Sequence, residues 1–145
     1  MNIRLSTDPT QYRIITYDFF PHAPGAPAQF FITDGRAVIN SIRTILTCDA
    51  NVANRYVFAT FLIAGFLPYR FIDPAPITAG QSAIISIAPF IPFTHAPLAV
   101  PEISLPVPPD LELSVGDSIV IDCINRQAGD DFTPTYYQLK VWEAF

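Results

Sequence analysis

Ala37-Val38-Ile39-Asn40-Ser41-Ile42-Arg43-Thr44-Ile45-Leu46-Thr47-Cys48, followed by Asp49-Ala50-Asn51-Val52-Ala53-Asn54 and then by Arg55-Tyr56-Val57-Phe58-Ala59-Thr60-Phe61-Leu62-Ile63-Ala64, decides the fold. From Arg36 to Leu67 the chain has no proline and is rich in Val, Ile, Thr, Tyr and Phe, which suit a pleated surface better than a helix. Side chains alternate along a strand, so the first run reads as one long strand. Val38, Ile42, Leu46 and Cys48 fall on one face and Ser41, Arg43 and Thr47 on the other. Asp49 to Asn54 reads as the turn. The run from Arg55 to Ala64 is apolar on both faces, which predicts a central strand covered on each side.

Working outward, Tyr12 to Phe20 reads as a first strand, Tyr69 to Ile72 as a short one, and Ile77 to Ala88 as half-buried, with Ala83, Ile85 and Ile87 alternating with Ser82 and Ser86. Seven prolines between Pro89 and Pro109 would each delete a ladder donor, so residues 89–110 are expected outside the sheet interior, as a Pro-rich arm or crossing. Leu111 to Leu113 then gives a short strand, Val115-Gly116-Asp117 a tight turn, and Ser118 to Ile124 a further strand. Gln127 to Pro134 reads as a hairpin loop leading into the last strand, Thr135 to Glu143. About seven or eight strands result, which predicts an all-β, single-domain sandwich over residues 1–145. Its parts are an arm and first strand (1–35), core strands (36–88 and 111–145) and the Pro-rich segment (89–110). A jelly-roll-like winding is preferred, because an immunoglobulin-like domain of about 100 residues would leave about 45 unplaced.

Composition excludes several functions. The 145 residues are 50% hydrophobic and 14% charged, with a net charge of −5 and a single lysine, Lys140, so the electrostatic footprint of a nucleic-acid binder is missing. The hydrophobic content argues against disorder, and six scattered glycines argue against collagen. Met1 to Ser6 has no basic-then-apolar pattern of a signal peptide, and Tyr56 to Leu67 is shorter than the ~20 residues of a membrane helix. The expectation is a chain made in the cytoplasm, with Cys48 and Cys123 as buried free thiols.

Chemistry is sparse. His22 and His95 each sit in a His-Ala-Pro triplet without a second ligand at metal-binding spacing, and read as surface loop. Asp130-Asp131 lacks the spacing of a calcium loop and reads as a solvated turn. No Gly-x-Ser-x-Gly or phosphate-binding glycine pattern is present, so neither an enzyme nor a cofactor is expected. Tyr136, Gln138, Lys140 and Trp142 share one strand face, either a contact surface or a lid on the sandwich. Most unusual are apolar residues beside prolines: Phe19-Phe20, Phe30-Phe31-Ile32 and Phe90-Ile91-Pro92-Phe93. Pro-rich segments lose little entropy on docking and suit clasping a neighbour, which makes Phe20, Phe30, Phe31, Phe90, Ile91 and Phe93 the expected interface.

The segment Ser41 to Val57, with Thr47-Cys48-Asp49-Ala50-Asn51-Val52-Ala53-Asn54-Arg55 at its centre, resembles a pattern of small virion proteins of tailed bacteriophages. Leu105 to Leu111, Val115 to Ser118 and Gln127 to Asp131 are similar to the second half of that pattern. The resemblance implies a non-enzymatic cement or decoration protein on the outer capsid surface. No functional residue carries over, since Asp49 and Asn51 read as turn chemistry and Arg55 as a partner for a carboxylate. The expected partners are the major capsid protein and further copies of the chain, as a homotrimer, with no nucleic acid and no membrane. A tail, neck or fibre-tip component, contacting a protein or host glycan through Asp49 to Asn54 and Gln127 to Pro134, is the alternative.

Overall fold

The computed structural model describes residues 12–19, 25–33, 35–64 and 68–142. These carry eleven strands and no helix: β1 (Arg13–Phe19), β2 (Ala28–Phe31), β3 (Arg36–Thr47), β4 (Tyr56–Leu62), β5 (Tyr69–Ile72), β6 (Ser82–Ala88), β7 (Thr94–Ala96), β8 (Glu102–Pro106), β9 (Glu112–Ser114), β10 (Ser118–Ile124) and β11 (Asp131–Trp142). They form two packed sheets, a β-sandwich. The larger runs β1-β11-β3-β6-β8-β7, with β9 also on β3, and the smaller runs β2-β10-β4-β5. The core lies between them, filled by alternate residues such as Ile39, Ile42, Leu46, Ile85, Ile103 and Leu139 from one sheet and Phe30, Val57, Phe61, Ile119 and Ile121 from the other.

The long strand β3 departs from strict alternation. Gln138 pairs with Ser41 and Leu139 with Ile39, so Asn40 is an extra residue in β3 and bulges out of the ladder. One inserted residue reverses the parity of everything before it. Ala37 and Ile39 therefore point inward together with Ile42, Thr44 and Leu46, and Val38 sits half-exposed rather than on the Ile42 face where simple alternation places it.

Three connections also differ from the sequence expectation. Residues 49–54 and 125–130 do not turn hairpins: β3 and β11 belong to the large sheet and β4 and β10 to the small one, so both connections cross between sheets. Asp131 to Pro134, expected in a loop, already belong to β11, where the register shifts between Phe132 and Thr135. Residues 89–110 do not stay outside the sheet, since β8 pairs in parallel with β6 and antiparallel with β7. The strand fits because Pro101 lies just before it and Pro106 at its last position, leaving Ile103, Ser104 and Leu105 to supply ladder donors. Finally, β4 is central in its sheet but fully covered on one face only: Val57, Ala59 and Phe61 point into the core, while on the other side Thr60 is buried beneath Arg70, Tyr56 and Phe58 are half-buried and Leu62 is exposed.

Candidate interaction surfaces

The expected contact residues separate. Phe30 is only 7% exposed and stacks on Tyr137 at 4.8 Å between ring centroids, with Tyr17 at 4.9 Å, so it belongs to the chain's own core and is not a surface contact. Its neighbour Phe31 points the other way and is 54% exposed, because successive residues of a strand face opposite sides. Phe20 lies outside the described residues. Phe31, Leu62, Ile72 and Ile124 leave an apolar outer side on the small sheet, and Phe31 borders a groove of about 320 Å³ with Leu62, Ile63 and Pro68.

Phe90, Ile91 and Phe93 follow β6 and form a separate apolar tip. Ile91 is half-buried and Phe93 is exposed. Phe90 is 89% exposed and has φ +63°, in the left-handed region that a bulky residue seldom enters. Pro89-Phe90 occupies the turn after β6, and the second of the two residues takes the conformation that glycine or asparagine ordinarily supplies. Neither the backbone strain nor the exposed ring stabilises the folded monomer.

A second feature is the base beneath the loop 49–54. The side chain of Arg55, at the entry to β4, is completely buried and donates from Nε to Asp130 Oδ2 at 2.9 Å and from one terminal nitrogen to Asp130 Oδ1 at 3.1 Å and Asp49 Oδ1 at 2.8 Å. Its other terminal nitrogen donates to the Ala53 carbonyl at 2.9 Å. Asp130 also accepts from the backbone N–H groups of Asp49 and Gln127, at 2.9 and 2.8 Å. Burial acts to raise the Asp130 pKa, but the Arg55 hydrogen bond, these two N–H donors and the guanidinium charge outweigh it and hold the carboxyl below the usual range. The Arg55 pKa is pushed up, chiefly by its hydrogen bond to Asp130 against the opposing effect of burial. Asp130 is thus a buried ion-pair partner, not the solvated turn residue expected from its neighbour Asp131. The Asp49 carboxylate also accepts from the N–H groups of Asn51 and Gly129. Only glycine fits at 129, since a Cβ there would lie 2.8 Å from Asp49 Oδ2. On this base the loop holds out Val52, which is 97% exposed.

The pairing of Arg55 with a carboxylate was legible from a lone arginine opening an apolar run. Its main partner, 75 residues away, was not. His95 is likewise no surface-loop residue: it lies in β7, and Nδ1 is 2.6 Å from Oδ2 of the buried Asp73, tying the edge of the large sheet to the end of β5. His22 falls outside the described residues. Cys48 and Cys123 are free and buried, and burial pushes their thiols up to about 11 and about 12. Along β11, Tyr136 is exposed, whereas Trp142 is closed over by the edge of Tyr12 and by the Arg36 guanidinium. The carboxylates of the Arg55 cluster are therefore taken up by a guanidinium and by backbone N–H groups. Among the described residues, Phe31, Val52 and Phe90 are apolar side chains turned outward. Comparison with protein-family models, curated proteins and solved structures finds no match to this chain.

Proposed function

We propose that this chain is a virion structural protein of a tailed bacteriophage, a cement or decoration protein that binds between major capsid subunits on the outer capsid surface and stabilises the shell. The observation that carries the reading is Phe90, a bulky aromatic held at positive φ and left in water. Strain of this kind persists where the surrounding structure over-determines it, and an exposed aromatic on a fixed turn is an anchor awaiting a pocket. Three further points support the reading. The strand order, counted over the eight strands β1 to β6, β10 and β11, is 1-8-3-6 over 2-7-4-5, the winding of a jelly roll, a fold frequent in capsid proteins. The sequence between Ser41 and Val57 resembles phage virion proteins. A net charge of −5 favours an outer shell over a surface facing packaged DNA.

Titrating expanded capsids that lack this protein tests the proposal. Saturable binding at hundreds of copies per particle is expected, with Phe90→Gly losing it while remaining folded. Absence of saturable binding by the native chain would end the proposal. The braced loop favours a second reading, a tail or neck component that docks through Val52. Copy number separates the two, since a small multiple of three or six per particle supports the second.

A further inference from the structure

Thr133 and Pro134 lie between the paired residues Phe132 and Thr135 of β11 and face a single residue of β3, Ile45. Two residues against one bend a strand away from its neighbour. Beside this bend the outer face of the large sheet has a hollow of about 210 Å³, lined by the apolar side chains of Ile45, Ile84, Pro134 and Tyr136 together with Thr44 and Arg43. It is smaller than the roughly 300–1,000 Å³ of a drug-sized site and has room for one ring. Tyr136 is 43% exposed, and its ring meets no other ring or cation among the described residues. Arg43 stands directly opposite Tyr136 in the ladder, with Ser86 on its other side. Thirteen acidic residues outnumber eight basic ones in this chain, and every other described lysine or arginine has a partner within it. Arg43 is exposed and has no hydrogen bond or ion pair among the described residues.

We propose that this hollow binds a sugar acid, a pyranose ring that carries a carboxylate. The fork of N–H groups on Arg43 matches the two oxygens of a carboxylate, and no described carboxylate of the chain takes that place. Tyr136 and the apolar lining suit the C–H face of the ring. The far end of the hollow has the opposite polarity. Glu102, exposed on the same face of the sheet, lies beside Ile84 in the ladder, about 12 Å from Arg43 by strand spacing. A carboxylate there accepts hydrogen bonds, which ring hydroxyls donate. The three features in sequence, donors and positive charge, then apolar surface, then an acceptor, select a hydroxylated ring with an anion at one end. An aromatic acid brings no donors to Glu102, and a neutral hexose leaves Arg43 without its counter-charge. All the lining residues sit on paired strands or at the β11 bend, so the site is held rigid by the sheet. It uses no residue of the Phe90 turn and does not rest on the capsid reading.

Saturation-transfer NMR of the native chain with glucuronate and with galacturonate tests the site, glucose and benzoate serving as the neutral and the non-sugar counterparts. At least one uronate is expected to bind saturably, and about tenfold or more tighter than either counterpart. Arg43→Gln is expected to weaken that binding about tenfold or more, and Tyr136→Ala to abolish it. Both side chains are exposed, so both variants keep the circular dichroism of the native fold. Arg70→Gln, an exposed arginine of the small sheet, is expected to bind as the native chain does. Binding of neither uronate, glucose or benzoate bound as tightly as the uronates, or a folded Arg43→Gln or Tyr136→Ala variant that binds unchanged would overturn the proposal.

Discussion

Replacing Phe90 by glycine should leave the isolated protein about as stable as before, unlike the ordinary loss of a phenylalanine. Left-handed backbone costs a residue with a Cβ about 1–2 kcal/mol, and glycine is free of that cost. Against this, glycine loses about 0.5–1 kcal/mol more chain entropy on folding. The ring itself contributes little: at 89% exposure it buries roughly a tenth of the ~200 Å² that a phenylalanine can offer, about 0.5 kcal/mol at 25 cal/mol/Å². The net expectation lies between a loss of about 0.5 kcal/mol and a gain of about 1 kcal/mol, at most a rise of about 4 °C in Tm for a chain of this size. Phe90→Ala supplies the control, since it loses the same contacts but keeps the strain. Glycine should exceed alanine by about 0.5–1 kcal/mol, an inversion of their usual order that occurs only where φ is positive. Urea unfolding of the three proteins, followed by tryptophan fluorescence from Trp142, measures these differences. An alanine variant more stable than the glycine variant, or a glycine variant that loses more than about 2 kcal/mol, would refute the reasoning. The ring would then be packed rather than presented.

Three other outcomes are expected. Arg55→Met should cost about 3–5 kcal/mol in the same assay, because it strands the buried Asp130 carboxylate, whereas Arg55→Met with Asp130→Leu should recover much of the loss. Acid should destabilise the fold through Asp130: its folded pKa is depressed, so its contribution is complete above the unfolded value of about 3.9 and is lost as pH falls from there through the folded pKa. Urea midpoints measured from pH 6 down to 2 should show that slope, and the Arg55→Met/Asp130→Leu pair should flatten it. Cys48 and Cys123, with thiols raised to about 11 and about 12, should react with a thiol reagent at pH 8 only as fast as the protein unfolds, and fast stoichiometric labelling of the native chain would contradict their burial.

Period-two alternation in β6 and the apolar run of β4 are local patterns, set by which residues tolerate a pleated backbone, and the sandwich class followed from them without reference to distant residues. So did the exposed aromatics of the Phe90 turn, because proline beside apolar residues limits how far they can be folded back. The sequence did not show which strands pair. β8 was hidden among prolines, because the ladder asks for donors only at certain positions and Pro101 and Pro106 sit at the strand's ends. The bulge at Asn40 was hidden too, since an inserted residue is defined by the partner strand it fails to match. The adjacent pair Phe30 and Phe31 looks alike in sequence and divides into core and surface only once β2 lies on β10. Arg55 read correctly as a cation in need of a carboxylate, but its choice of Asp130 depended on two crossings between sheets meeting at one end of the sandwich. Local preference is encoded residue by residue. Partnership across 75 residues is a property of the closed fold, where burial forces every charge and every backbone donor to find a counterpart.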